Sequence, residues 1–411
     1  MDWGRAVGAA RRWRPHFSLR SFLGGAALAV LLISAFSTFF SPRSPGTAGR
    51  SRPQSGGRCS FPAIFNFGDS NSDTGGKSAA FHRLPSPNGD TFFGKPSGRY
   101  CDGKVILDFI AEKLGLPYLS AYLDSIGANF RHGANFATGG STIEPLDTRI
   151  FQGGFSPISL DIQLLQFEQF KARTLELHRE GSSYAETNLP IPEDFGNALY
   201  TMDVGQNDLH SALGSMTEKK VLELIPNITM EFGRSVEKLY QQGARAFWIH
   251  NTGPIGCLPY SLVFYPPEPN NVDRNGCIES HNKISREFNR QLEDQVAKLR
   301  VQLQDAKLNF IDIYLAKYSL ISDAKKHGFV DPLTYCCGHY GDYRVQCGKK
   351  AVVNGTEIFG TPCEDPLKVI SWDAVHYSHA ANKWVAEQIL NGSLSDIHVP
   401  VAESCPGRAS P

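Results

Sequence analysis

With 411 residues, 41% of them apolar and 11% aromatic, the chain is long enough for one large α/β domain or two modest ones around a substantial core. Lys and Arg total 41 and Asp and Glu total 41, so the net charge is zero, and no charged block stands out beyond the N-terminus. Binding a phosphate backbone needs a concentrated basic face, so a nucleic-acid partner has no electrostatic support.

Arg5, Arg11, Arg12, Arg14 and Arg20 lead into an uncharged run of 19 residues, 22–40. A cleaved signal has an apolar run of about 7–15 residues and a spanning helix roughly 17–25. A signal-anchor helix is therefore expected over 22–40, in preference to cleavage near Ala35-Phe36-Ser37. The arginines hold residues 1–21 in the cytosol as a basic tail. Residues 41–58, rich in Ser, Pro, Gly and Arg, read as a flexible luminal stem. Tail, short span, stem and luminal domain together predict a single-pass type II Golgi membrane protein, with secretion to the apoplast as the alternative.

Further signals agree with a lumen. Asn227, Asn354 and Asn391 head N-glycosylation triplets. Nine cysteines are present, six of them from Cys257 to Cys363. Cys336, Cys337, Cys347 and Cys363 lack the neighbouring His and paired spacing of a zinc site, so disulfides are expected, with Cys257 closing on Cys277. The odd total leaves at least one thiol unpaired or intermolecular.

Residues 61–67 are a short apolar run ending in Gly68-Asp69-Ser70, a buried strand entering a turn. Residues 105–114 have helical spacing. A strand over 134–137 enters the Gly139-Gly140 turn, and 162–177 is amphipathic. Residues 197–204 form another buried strand, ending at Gly205-Gln206-Asn207-Asp208. A helix over 230–242 precedes a strand over 244–250, and a long helix over 280–304 precedes a strand over 308–313. A Cys- and Gly-rich excursion follows, then a last helix over 380–390. Strands alternating with helices predict a parallel sheet covered on both faces, a three-layer α/β/α sandwich.

In such sheets the site lies beyond the C-terminal strand ends. Gly68-Asp69-Ser70, Gly139-Gly140 and Gly205-Gln206-Asn207 fall there, and Asp373-Ala374-Val375-His376 precedes the last helix. Each supplies something ester cleavage requires. Ser70 is a hydroxyl nucleophile, His376 its base and Asp373 the group that orients the imidazole. The tetrahedral oxyanion needs donors, each worth about 3–4 kcal/mol of barrier in comparable sites. The N–H groups of Ser70 and Gly140 and the amide of Asn207 are the candidates, with Gly140 favoured over Gly139.

Four blocks carry a resemblance: Phe67 to Gly75 (FGDSNSDTG), Gly133 to Gly140 (GANFATGG), Val204 to Asp208 (VGQND) and Asp373 to His376 (DAVH). In that order they resemble the plant GDSL esterase/lipase family of the SGNH hydrolase superfamily, over about residues 59–393. The resemblance implies a flavodoxin-like SGNH fold, with Ser70, Asp373 and His376 as triad and Ser70, Gly140 and Asn207 as oxyanion hole. The intervening text is similar to a branch with members described as acetyl esterases, early-nodulin-like proteins and fucosidases. Anchored members include acetylxylan esterases.

A lone Gly-Asp-Ser is often an ordinary turn, but the other motifs override that reading. Asp373 also suits a helix cap. His379 reads as a surface or capping histidine, and Asp208 as a loop-orienting group. Trp372, Tyr335, Tyr340 and Tyr343 read as packing residues before sugar-stacking ones. The expected function is a serine carboxylesterase removing O-acetyl groups from a cell-wall polysaccharide, xylan first, on the backbone or an arabinosyl side chain. The rivals are a secreted lipase or phenolic-ester hydrolase, an acyltransferase and a non-enzymatic glycan-binding protein. No cofactor, metal or obligate protein partner is implied, and residues 394–411 read as a C-terminal tail.

Overall fold

Five short buried runs line up as one sheet: β1 (Ile64–Gly68), β2 (Gly133–Asn135), β3 (Leu199–Asp203), β4 (Ala246–His250) and β5 (Lys307–Ile311). The structure, a computed structural model, describes residues 59–146 and 154–406. The strand order is β2-β1-β3-β4-β5, and every neighbouring pair is parallel. Ile64 is level with Gly133 on one side and Leu199 on the other, and Gly68 is level with Asp203. The order reverses at β1, so the crevice outside the ends of β1 and β3 is the natural ligand position.

Alternation along β1 sends Phe65 and Phe67 to one face and Asn66 to the other. Phe65 stacks on Phe195 at 5.1 Å, and Phe67 meets the Phe167 edge at 5.7 Å. Each ring fully buried this way contributes about 1.5–3 kcal/mol. Asn66 donates to Asn135 Oδ1 (2.7 Å) and Ser72 Oγ (3.0 Å) and accepts from Thr201 Oγ1 (2.7 Å). That buried polar group is fully partnered, and it ties three strands to the turn after β1.

Helices Leu160–Arg179, Glu218–Gln241 and Glu279–Gln302 pack together as one layer, and helices Ile106–Leu114, Ile313–Ser322 and His379–Ile389 as the other. The expected three-layer α/β/α class is thus the observed one. The helix expected over 230–242 begins at Glu218 and runs through Pro226. Proline removes one helical hydrogen bond. Val221, Ile225, Ile228, Phe232, Val236 and Leu239 all face the core, and their burial outweighs that loss.

Residues 394–406 depart from the expected tail. Val401 and Ser404 are buried, Asp396 accepts from Phe310 N (3.1 Å), and Cys405 is bonded to Cys59. The last segment therefore closes the domain onto its first described residue. Cys257–Cys277 pairs as expected, Cys336–Cys363 and Cys337–Cys347 staple the Cys-rich excursion, and buried Cys101 is the odd thiol. That excursion is a lobe of two hairpins, β6 (His339–Tyr340) with β7 (Arg344–Val345) and β8 (Lys350–Val353) with β9 (Thr356–Phe359). Four disulfides mark an oxidising compartment, extracellular or luminal. Among the described residues no helix is long and apolar enough to cross a membrane. The expected tail, anchor and stem, residues 1–58, lie outside the described residues.

Candidate active site

The chain leaves β1 through a turn that the sheet itself fixes. Asp69 N donates to Asp203 O (3.1 Å), and Ser72 N and Asp73 N donate back to Asp69 O (3.2 and 2.9 Å). Gly68 is clamped on both sides by Gln163, at 2.9 and 2.8 Å. A Cβ on Gly68 would meet Asp203 O at 2.5 Å, so only glycine lets β1 approach β3 this closely. Ser70 is thereby presented at the β1/β3 crevice with its N–H facing no acceptor among the described residues.

The Gly139-Gly140 turn is bound to the same loop by Asp73. Its carboxylate accepts from Gly75 N (2.7 Å), Gly76 N (2.5 Å), Lys77 N (3.1 Å) and Gly139 N (2.8 Å). Asp73 thus consumes the Gly139 N–H, whereas the Gly140 N–H has no acceptor among the described residues. Gly140 has φ +89°, and a Cβ there would lie 2.4 Å from Gly154 O. Asn207, at the start of helix Gln206–Leu213, donates to Ser141 O (2.9 Å) and more loosely to Asp69 Oδ2 (3.2 Å). Beside it, Asp208 accepts from Ile143 N (3.0 Å) and Glu144 N (3.1 Å), the loop-orienting role expected of it. Burial pushes the Asp208 carboxyl up to about 7. Burial and nearby Asp203 also push the Asp69 carboxyl up.

Asp373 and His376 sit on a turn of different construction. Asp373 Oδ2 and Oδ1 lie 2.7 and 2.9 Å from His376 Nδ1, and Oδ1 also accepts from His376 N (2.8 Å) and Val375 N (3.2 Å). Ala374 between them has φ +70°, a left-handed conformation unfavourable for a residue with a Cβ. Burial alone would raise the Asp373 carboxyl. The His376 charge, its hydrogen bond and the two backbone N–H groups outweigh burial and hold the carboxyl below its ordinary value. Trp372 N donates to His376 O (2.7 Å), and Cys337 N donates to Trp372 O (2.6 Å), so the stapled lobe grips the turn directly.

Ser70, Gly140, Asn207, Asp373 and His376 all line one cleft of about 500 Å³. No hydrogen bond joins Ser70 Oγ to His376 among the described contacts, and catalytic contacts of this kind often tighten only around substrate. His379 is occupied elsewhere. Its Nδ1 accepts from Lys104 N (2.9 Å), and its ring stacks on Phe92. Trp372 is 1% exposed and donates from Nε1 to Asn88, which makes it a packing residue; Tyr343 stacks on His339, while Tyr340 forms a wall of the cleft. Asn227, Asn354 and Asn391 are all exposed. Asn227, however, lies within a helix whose Thr229 is buried and bonded to Ile225 O. Cys257, Asp273 and Cys277 approach one another at metal-ligand spacing, but the two sulfurs are already joined and offer no thiolate.

The motifs did not announce Tyr100, Asp73 or the basic cleft wall. Tyr100 fills the space between Gly139 and His376, its ring centroid 4.8 Å from the imidazole. Lys77, Arg344 and Lys349 line the same cleft. Asp73 was within reach, as the acid heading Thr74-Gly75-Gly76, a turn that offers several free N–H groups.

Residues 64–389 match the family model described as GDSL-like lipase/acylhydrolase. A GDSL esterase/lipase of Arabidopsis thaliana is 51% identical over 84% of this chain and 90% of its own length. Another from Zea mays is 51% identical over 86% and 91%. A third relative, named alpha-L-fucosidase 3, from Arabidopsis thaliana, is 48% identical over 82% and 91%.

Proposed function

The chain belongs to the GDSL-like lipase/acylhydrolase family and is a carboxylic ester hydrolase, and from that premise we propose that Ser70, His376 and Asp373 remove O-acetyl groups from a plant cell-wall polysaccharide, acetylated xylan first. The observation that carries this reading is the doubly contacted Asp373–His376 pair in the cleft that Ser70 also lines.

Ser70 Oγ attacks the ester carbonyl carbon while His376 Nε2 takes its proton. The free N–H groups of Ser70 and Gly140 receive the oxyanion. Asn207 adds a donor by releasing its longer bond to Asp69. The tetrahedral intermediate collapses with cleavage of the bond to the sugar oxygen, which takes the proton from His376. Water, deprotonated by the same imidazole, then releases acetate and restores Ser70.

Glycosidic cleavage is a poorer fit, whatever a relative's name. It uses two carboxylates flanking the bond, and among the described residues Asp373 is the cleft's lone carboxylate, already bound to His376. The preference for polysaccharide over lipid rests on the expected Golgi anchor and stem, with the disulfides in agreement. Asn354, at a hairpin tip, and Asn391 are the better glycosylation acceptors.

Purified full-length protein should release acetate from acetylated xylan and favour p-nitrophenyl acetate over the octanoate. The Ser70→Ala chain should fold normally and lose activity by a factor on the order of 10⁵. Retained turnover in that variant would remove Ser70 as nucleophile, and an octanoate preference would transfer the reading to a lipase.

A further inference from the structure

The cleft carries a charge imbalance that ester cleavage does not explain. Lys77, Arg344 and Lys349 line it. Asp373 is its lone carboxylate among the described residues, and it is already bound to His376 Nδ1. The chain as a whole is neutral, so the excess is local.

Among the described residues Lys77, Arg344 and Lys349 make no ion pair with a carboxylate. Elsewhere Arg99, Arg131, Arg245 and Arg300 are paired with Asp108, Asp194, Asp305 and Asp396. Arg344 instead lies 5.8–5.9 Å from the rings of Tyr260, Phe264 and Tyr340, with no carboxylate in ion-pair range among the described residues. Aromatic faces hold the guanidinium plane and leave its donor edge open. Lys349 likewise has no ion pair among the described residues, and Lys77 Nζ rests on the neutral Gly154 carbonyl at 2.7 Å. The bases sit close enough to disfavour one another. Burial first, then Lys349, brings the Lys77 ammonium down to about 8 against the pull of Asp73. Burial, Lys349 and Lys77 together lower the His82 imidazolium. A concave site lined by one sign of charge concentrates the opposite charge.

We propose that the cleft selects acetyl esters whose alcohol portion carries a carboxylate, as in an acetylated acidic saccharide of the uronate type, with Arg344 and Lys349 on the stapled lobe and Lys77 on the short helix Gly76–Ala80 holding that carboxylate. The inference rests on the esterase reading of Ser70 and adds the charge of its substrate. Tyr260 and Tyr340 beside Arg344 give the sugar ring flat faces to lie against.

The test compares kcat/KM of the full-length chain for 4-acetoxybenzoate and for its uncharged methyl ester. In the R344Q/K349Q double variant the ratio of acidic to neutral ester should fall about tenfold, through KM, and R344K/K349R should restore it. A ratio unchanged within twofold, or an equal loss on both esters, overturns the proposal. Failure of the wild type to turn over either ester would sink the esterase reading instead. The charge inference is then decided by NMR titration of the S70A chain, which should bind D-glucuronate at least tenfold more tightly than D-glucose. Equal affinity would refute it.

Discussion

Ser70 and His376 face one cleft from opposite kinds of structure. Ser70 stands on the parallel sheet, where Asp203 O, Gln163 and Asp73 fix its turn through buried hydrogen bonds. His376 stands on a short turn gripped by a lobe of two small hairpins, whose compactness comes from Cys336–Cys363 and Cys337–Cys347. The sheet side owes its rigidity to apolar burial, with Phe65, Phe67 and Trp248 fully buried, and the lobe side owes it to covalent cross-links. The proposed catalytic pair thus depends on two sources of order, which can be perturbed separately.

The sharpest way to isolate the lobe side is Asp373→Asn, which leaves the turn able to form but no longer selects the His376 tautomer that accepts a proton from Ser70. kcat should fall on the order of 10⁴-fold with the thermal transition nearly unchanged. A loss below tenfold would break the pairing. Next in size is the double replacement Cys337→Ser with Cys347→Ser. Opening this ten-residue separation should cost about 3 kcal/mol of lobe stability. Activity should then be lost at a lower temperature than far-UV circular dichroism of the sheet and helices. Coincident transitions would show that the two regions are one cooperative unit.

The smallest effect belongs to the sheet side. Burial raises the Asp208 carboxyl to about 7, above its unfolded value near 3.8. A raised folded pKa contributes stability that is complete below the unfolded pKa and lost as pH rises through the folded one. Between pH 4 and 7 the stability difference, wild type minus Asp208→Asn, should therefore shrink by about 1 kcal/mol per pH unit. Urea unfolding at several pH values measures it, and a flat difference would mean that the carboxyl ionises freely behind Ile143 and Glu144.

Much of this molecule was legible in short stretches. The sheet strands were each visible as buried runs, the Ser70 and oxyanion candidates as motifs at their ends, and Asp373 and His376 as a motif before the last helix. Other features were misread for local reasons. The helix expected over 230–242 begins instead at Glu218, because burial of Val221, Ile225 and Ile228 outweighs the hydrogen bond that Pro226 removes. The hairpin that Asn354-Gly355 makes between β8 and β9 went unread, because the triplet was taken only for its glycosylation signal and not for the two-residue turn the same dipeptide favours. The Cys405 link to Cys59 was hidden because it spans 346 positions.

The sequence by itself determined the strand–helix alternation, the reaction class and the candidates for the residues that carry it. Those depend on periodicity and on contiguous motifs, both written in neighbouring positions. Only the tertiary structure decided that Gly139 is spent on Asp73 and Gly140 is not, that Tyr100 lies against His376, and that Lys77, Arg344 and Lys349 line one cleft with no carboxylate paired to them among the described residues. These are properties of distance and burial between segments far apart in the chain, and a neutral overall composition conceals them.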